Sequence, residues 1–132
     1  MALILVVDDE PDIRLLAHVV LGSAGHQVIE AASGAEALER VARRPRPDLV
    51  VLDLNLGGID GWEVLGRLGV EHGDSAPPVL VLTGDLAALT KGSYQHVLTK
   101  PFQPDAFLTA VERALGTGGV AQAGSGEDST GS

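Results

Sequence analysis

The sequence of 132 residues contains no cysteine, few aromatic residues and few basic ones. Without cysteine the chain has no disulfide, no thiolate metal ligand and no cysteine nucleophile. A disulfide framework or zinc site is not needed for folding either, because 45% of the residues are apolar, which is enough for a domain of this size to bury a core. The aromatic residues are one tryptophan, one tyrosine and two phenylalanines.

Basic residues are scarce relative to acidic ones. Nine lysines and arginines stand against 18 aspartates and glutamates, which gives a formal net charge of −9. Such an excess of negative charge repels phosphate backbones and anionic membranes, so nucleic acid is not expected as a direct partner. A metal cation or a basic protein surface is the better expectation.

Long hydrophobic runs are also missing. The apolar start of the chain, Met1–Val7, is shorter than the hydrophobic region of a signal peptide, has no basic residues before it, and leads directly into three acidic residues. No stretch has the length of a membrane span. We therefore expect a cytoplasmic protein that does not interact with membranes.

Short apolar runs recur along the chain at regular distances. They are rich in valine, isoleucine and leucine and do not alternate with polar residues, which is typical of strands buried on both faces. The runs are Leu3–Val7, Val28–Ala31, Leu49–Leu52, Val79–Leu82 and a weaker one at Val97–Leu98.

Segments with helical periodicity separate these runs. Helices are predicted for Pro11–Ser23, from a capping box at Ser33 to about residue 43, for Asp60–Val70, and from Pro104 onward. This alternation predicts an α/β fold with a doubly wound, five-stranded parallel sheet and helices on both faces. The domain is expected to span residues 1–116, and residues 117–132, rich in glycine, serine and threonine, are expected to form a disordered tail or linker.

Polar residues stand at the end of four of the predicted strands. Asp8 and Asp9 follow the first strand, Asp53 ends the third, Thr83 ends the fourth and Lys100 follows the fifth. Each alone is commonly a solvated turn or a helix cap. In a parallel sheet, however, these strand ends meet at one edge, where open α/β sheets bind their ligands.

The chemistry of this set indicates a phosphoryl-binding site. Three clustered carboxylates repel one another unless a cation lies between them, and oxygen ligands alone favour Mg²⁺. Thr83 offers a hydroxyl donor and Lys100 a compact cation for a phosphoryl group. Asp53 lies between the acidic pair and these two residues in the sheet, so it is the candidate nucleophile for an aspartyl phosphate.

Four motifs occur in order along the chain: Val6-Val7-Asp8-Asp9-Glu10, Leu52-Asp53-Leu54-Asn55 with Asp60-Gly61 downstream, Leu82-Thr83-Gly84 and Lys100-Pro101-Phe102. This ordered set resembles the receiver domain of response regulators, the phosphoacceptor of two-component signalling, over residues 2 to about 116. The resemblance implies a flavodoxin-like fold.

The resemblance implies a function for each acidic position. Asp53 would accept a phosphoryl group from a phosphohistidine on a sensor histidine kinase or a histidine phosphotransfer protein. Asp9 would bind Mg²⁺ directly and Asp8 mostly through water. The backbone carbonyl of Asn55 would be a further ligand.

The resemblance also implies how the phosphoryl group is held. The Thr83 hydroxyl would follow a phosphoryl oxygen as the switch residue, and Lys100 would form an ion pair with the group, next to a cis Lys100–Pro101 bond. The chain would switch partner binding and would not be an enzyme beyond slow self-dephosphorylation. A homodimer is compatible with this interpretation.

Two features depart from the family pattern. Val97 stands where the family usually has an aromatic residue that moves together with the threonine. Thr83 and Lys100 are only 17 positions apart, about one and a half helical turns fewer than usual. The fourth helix, within Leu86–Lys91, is therefore expected to be short or missing. Phosphorylation is hypothesised to order a flexible segment, Gly84–Gly92, instead of shifting a formed helix.

Two other functions remain open at this point. A pseudo-receiver would be an interaction module that works independently of phosphorylation, which the short fourth helix favours. A small Mg²⁺-dependent phosphohydrolase would use a similar aspartate nucleophile. That class usually places the nucleophile on the first strand in an Asp-x-Asp motif, whereas adjacent acids follow the first strand here.

Overall fold

The computed structural model describes residues 1–119 and contains one parallel sheet covered by helices on both faces. The strands are β1 Leu3–Val7, β2 Gln27–Ala31, β3 Leu49–Asp53, β4 Val79–Thr83 and β5 His96–Thr99. They lie in the order β2-β1-β3-β4-β5, and all neighbouring strands are parallel. The predicted doubly wound fold is therefore confirmed.

Helices fill the connections between the strands. The α-helices are α1 Pro11–Ser23, α2 Gly34–Ala42, α3 Gly61–His72 and α4 Pro104–Gly119. Helix α4 continues past residue 116, where the domain is predicted to end, and residues 120–132 of the predicted tail lie outside the described residues.

No α-helix stands between β4 and β5 in the described chain, which confirms the prediction of a short fourth helix. The connection contains a 3₁₀ helix, Leu86–Lys91, whose N-cap is Asp85. This 3₁₀ helix lies within the segment Gly84–Gly92 that phosphorylation is hypothesised to order, and that hypothesis stays a prediction. A second, shorter 3₁₀ turn, Gly73–Ser75, follows α3.

Two apolar clusters, one on each face of the sheet, make up the core. Alternate residues of β1 show the division: Ile4 and Val6 pack with α1 and α4, whereas Leu5 and Val7 pack with α2 and α3. All four are fully buried. Because both faces are covered, the strands have apolar side chains at successive positions instead of alternating ones.

Side-chain caps fix where two of the helices begin. The Ser33 hydroxyl accepts a hydrogen bond from the Glu36 N–H at 3.2 Å, as the predicted capping box requires. In a capping box the Glu36 carboxylate would accept from the Ser33 N–H. Here it accepts from the N–H of the preceding residue, Ala32, at 2.7 Å. At the start of α3, Asp60 accepts from the Glu63 N–H at 2.9 Å.

The strand order places β1 and β3 side by side in the middle of the sheet. The chain leaves β1 towards one edge of the sheet and leaves β3 towards the other, so the connections diverge and open a crevice at the carboxyl ends of these two strands. Val7 and Leu52 are paired in the register, which brings Asp8 and Asp53 next to each other in that crevice.

Candidate functional site

Two buried aspartates form the floor of the site. Asp8 follows β1 with no exposed surface, and Asp53, the last residue of β3, is only 2% exposed. One oxygen of each carboxylate accepts a hydrogen bond from the backbone N–H two positions later in the chain. Asp8 accepts from the Glu10 N–H and Asp53 accepts from the Asn55 N–H, both at 2.9 Å. These bonds leave the other oxygen of each carboxylate directed at a third group.

Lys100 is that third group. Its Nζ donates to Asp8 Oδ2 at 2.9 Å and to Asp53 Oδ2 at 3.0 Å, and it also reaches Glu10 Oε2 at 3.2 Å. The backbone of Lys100 is fixed as well, since its N–H donates to the Thr83 carbonyl at 2.8 Å. The ammonium group therefore joins the end of β5 to the ends of β1 and β3, and its bond to Asp8 spans 92 positions of the sequence.

Burial and charge act in opposite directions on this site. Burial raises the pKa of Asp8, and it outweighs the hydrogen bonds from the Glu10 backbone and from Lys100, which favour the ionised form. Burial also lowers the pKa of Lys100, but hydrogen bonds to Asp8 and Asp53 and the charges of both carboxylates raise it above its ordinary value. Lys100 thus stays protonated in the physiological range.

Four carboxylates converge at the same edge of the sheet. Asp8, Asp9, Glu10 and Asp53 each offer an oxygen, and these four atoms lie within 4.8 Å of one another. Asp9 and Glu10 are exposed, whereas the other two are buried. A cluster of oxygen ligands with buried and exposed members fits a hard divalent cation that keeps part of its hydration shell.

Thr83 ends β4 beside the acidic cluster and is 1% exposed. Its hydroxyl donates to the Asp85 carbonyl at 3.1 Å and accepts from the Asp85 N–H at 3.0 Å. The Lys100–Pro101 bond is cis, as predicted. The structure therefore places the predicted side chains of Asp8, Asp9, Asp53, Thr83 and Lys100 at one edge of the sheet, together with Asn55, whose N–H binds Asp53.

Two further residues of this region, Glu10 and Arg14, are not among the site residues predicted from the sequence. Glu10 looks like the residue before a helix, yet its carboxylate binds Lys100 and does not cap α1; the run of three acids before Pro11 is the signal for it. Arg14 donates to the backbone carbonyl of Asp8 at 2.7 Å and pairs with Glu30 at 2.8 Å, which fixes the loop after β1.

Membrane-spanning helices are not found among residues 1–119, since none of the helices there is both long and apolar enough.

Comparison with known proteins gives a family match and curated relatives. Residues 4–112 match the response regulator receiver domain family. The chain is 41% identical to the transcriptional regulatory protein KdpE of Mycobacterium tuberculosis over 121 residues, covering 87% of this chain and 51% of KdpE. It is 36% identical to the sporulation initiation phosphotransferase F of Bacillus subtilis over 115 residues, covering 85% of this chain and 92% of that protein. The chain thus spans about half the length of KdpE and nearly all of the phosphotransferase.

Solved structures agree with this match. The chemotaxis response regulator CheY4 of Vibrio cholerae has a TM-score of 0.78 and 31% identity, covering 86% of this chain and 98% of CheY4. The response regulator TrrA of Thermotoga maritima, solved in complex with Mg²⁺ and BeF, has a TM-score of 0.77 and 32% identity, covering 86% of this chain and 99% of TrrA. Sequence, sheet order and site geometry agree, and the chain belongs to the response regulator receiver domain family.

Proposed function

We propose that Asp53 accepts a phosphoryl group from a phosphohistidine on a sensor histidine kinase or a histidine phosphotransfer protein. The observation that carries this proposal is the position of Lys100, whose ammonium group lies 3.0 Å from Asp53 and 2.9 Å from Asp8. Because Asp53 ends the central strand β3 at the crevice, it is the buried carboxylate best placed for an incoming phosphoryl group.

The transfer requires little covalent chemistry from the protein. A carboxylate oxygen of Asp53 forms a bond to phosphorus while the bond between phosphorus and the donor imidazole nitrogen breaks, and the imidazole leaves with the electron pair. Lys100 remains within reach of the phosphoryl oxygens and neutralises their charge. The hydroxyl of Thr83 supplies a neutral donor from the neighbouring strand end.

Receiver domains bind Mg²⁺ at an acidic pocket, and this chain has such a pocket. We propose that Asp8, Asp9, Asp53 and the backbone carbonyl of Asn55 hold the ion, which neutralises phosphoryl charge when bound. All four groups offer oxygen, the ligand that Mg²⁺ prefers. Asp9 is exposed and free to adjust to the ion, whereas Asp8 is fixed by its bonds to Glu10 and Lys100.

We further propose that phosphorylation changes which protein the chain binds. The relatives include a transcriptional regulator and a phosphotransferase, so the family uses the receiver with and without other domains. The net charge of −9 supports protein partners over direct contact with nucleic acid. No catalytic activity is assigned to the chain beyond slow loss of its own phosphoryl group to water.

A small phosphodonor tests this proposal directly. The full chain is incubated with acetyl phosphate, with and without Mg²⁺, and its intact mass is measured over time. We expect an adduct of one phosphoryl group that forms with Mg²⁺, is stable in acid and is lost in base, as an acyl phosphate is.

Two other results would contradict the proposal, and each favours a different function. If no adduct forms and the chain still folds and binds Mg²⁺, it is a pseudo-receiver whose interactions do not depend on phosphorylation. Rapid turnover of many phosphoesters, with no lasting adduct, would identify a phosphohydrolase.

A further inference from the structure

Trp62, the single tryptophan of the chain, connects α3 to the 3₁₀ helix Leu86–Lys91. Its indole Nε1 donates to the Ala88 carbonyl at 2.9 Å. The face of the ring lies against Gly92, where an added Cβ would be only 2.7 Å from Cε3 and 2.8 Å from Cζ3. Trp62 thus holds the 3₁₀ helix by a hydrogen bond and holds the residue after it by ring contact.

Thr83 holds the other end of the same segment. Its hydroxyl donates to the Asp85 carbonyl, and that carbonyl also accepts from the Ala88 N–H at 3.0 Å. The Asp85 carboxylate accepts from the Ala87 N–H at 3.0 Å and caps the 3₁₀ helix. A continuous hydrogen-bonded chain therefore runs from Thr83 through Asp85 and Ala88 to Trp62.

The backbone next to Trp62 is packed against the proposed phosphoacceptor. At the preceding residue, Gly61, an added Cβ would lie 2.5 Å from the Leu54 Cα and 2.6 Å from the Asp53 carbonyl oxygen. The Gly61 N–H donates to the Leu54 carbonyl at 3.1 Å. The first turn of α3 is thus packed directly on the backbone that follows β3. Because Thr83 holds one end of the segment Asp85–Gly92 and Trp62 holds the rest, both attachments lie close to Asp53.

A cavity of about 230 Å³ lies between these two anchors. It leaves open space beside the segment Asp85–Gly92. The residues around it include Leu54, Asn55, Trp62, Thr83, Asp85 and Lys91.

We propose that Trp62 is a positioning residue that keeps the segment Asp85–Gly92 folded and attached to α3 when Thr83 turns towards a phosphoryl group on Asp53. This inference rests on the proposed function. A hydroxyl carries a single proton, so Thr83 cannot donate to a phosphoryl oxygen and to the Asp85 carbonyl at once. When Thr83 no longer donates to the Asp85 carbonyl, the contacts with Trp62 remain, so the segment stays folded and turns as one body about Trp62.

The other aromatic residues do not make these contacts. Phe102 and Phe107 stack on each other with ring centroids 5.3 Å apart, packed with the cluster on the opposite face of the sheet. Tyr94 is 41% exposed. Position 97 of β5 holds a valine, which has no ring to place beside Thr83. Trp62 therefore supplies the aromatic contact to the segment that follows Thr83.

Wild type, Trp62→Phe and the control Tyr94→Phe test this inference. Each full chain is treated with acetyl phosphate and Mg²⁺, the adduct is counted by intact mass, and amide hydrogen exchange is measured across Asp85–Gly92. In the wild type we expect the tryptophan emission maximum to shift when the adduct forms, while the segment stays protected. In Trp62→Phe we expect as much adduct as in the wild type but a loss of protection in the segment, larger with the adduct than without it.

The outcomes separate this inference from the proposed function. Tyr94→Phe should behave as the wild type does. Adduct with no shift of emission, or a loss of protection in Trp62→Phe that is equal with and without adduct, would overturn the role of Trp62 and leave the proposed function in place. Absence of adduct in the wild type would overturn both.

Discussion

Lys100 is the residue on which the site depends electrostatically. Its side chain is 16% exposed, and it is bonded to two carboxylates that are nearly inaccessible to solvent. Removal of the cation alone should lower the free energy of unfolding strongly, because it leaves two buried negative charges next to each other.

We predict that Lys100→Met lowers the free energy of unfolding by about 3–5 kcal/mol at neutral pH in buffer without divalent cations. Lower pH should reduce the loss, because protonation of the carboxylates removes the uncompensated charge. Urea unfolding measures both effects. The matched control is Lys91→Met at an exposed lysine, for which a change within about 0.5 kcal/mol is expected. An equal effect of the two substitutions would contradict the interpretation.

His96, on the edge strand β5, makes stability depend on pH. Burial lowers the pKa of its imidazole from the ordinary value of 6.5. As the pH falls below 6.5, the unfolded chain takes up a proton that the folded chain does not. The destabilisation due to His96 therefore grows until the pH reaches the lowered pKa of the folded state, and it stays constant below that pH. Above pH 6.5 both states are neutral and the contribution vanishes.

The corresponding prediction is that His96→Gln weakens the loss of stability on acidification below pH 6.5. Urea unfolding at several pH values measures the slope in both proteins. An NMR titration of the His96 imidazole in the folded wild type is the direct check. A midpoint above 6.5 would show that the sign of this contribution is wrong.

Helix α3 is the element whose placement matters most for the site, because its first residue packs on the backbone after Asp53. Gly61 is buried at this contact. The atoms that an added Cβ would meet belong largely to backbone, which cannot move aside as a flexible side chain can. Gly66, in the middle of the same helix, has no atom within 4 Å of an added Cβ.

These two glycines are a matched pair for a prediction. Gly61→Ala should destabilise the fold by about 1–3 kcal/mol, since the added methyl group forces α3 away from β3. Gly66→Ala should stabilise it by about 0.5–1 kcal/mol, because alanine loses less backbone entropy in a helix. Thermal or urea unfolding of both variants is sufficient. Destabilisation of similar size in the two variants would contradict the packing argument.

Elements with strong sequence periodicity were predictable, and the connection between β4 and β5 was predictable only in part. The limits of α1 and β1 are the predicted ones, and those of α3 differ by one or two residues. The short spacing after Thr83 excludes a full helix, but it gives no information on the conformation that replaces it. That conformation depends on Trp62, which is 26 positions away from its partner Ala88.

At the scale of the described molecule, the sheet assembles residues that are distant in sequence. The carboxyl ends of parallel strands share one edge, so Asp8, Asp53, Thr83 and Lys100 could be predicted to meet from their positions after apolar runs. Glu10 could not be predicted in the same way. An exposed glutamate at a helix start has no periodic pattern, and its contact with Lys100 depends on side-chain geometry.

Part of the negative charge of the chain lies at the edge of the sheet where the site is formed. Asp8, Asp9, Glu10 and Asp53 lie within 4.8 Å of one another and contribute four of the 18 acidic residues. Lys100 balances part of this charge, and a bound divalent cation would balance more. The acidity of the chain is therefore in part the charge of the acidic pocket proposed to bind Mg²⁺.

The most direct test of the account is to locate the phosphoryl group. Wild type, Asp53→Asn and the control Asp12→Asn, at an exposed acid in the first turn of α1, are treated with acetyl phosphate and Mg²⁺ and weighed by intact mass spectrometry. The account predicts one added phosphoryl group in the wild type and in Asp12→Asn, and none in Asp53→Asn. A full adduct on folded Asp53→Asn would contradict the assignment of Asp53 as the phosphoacceptor.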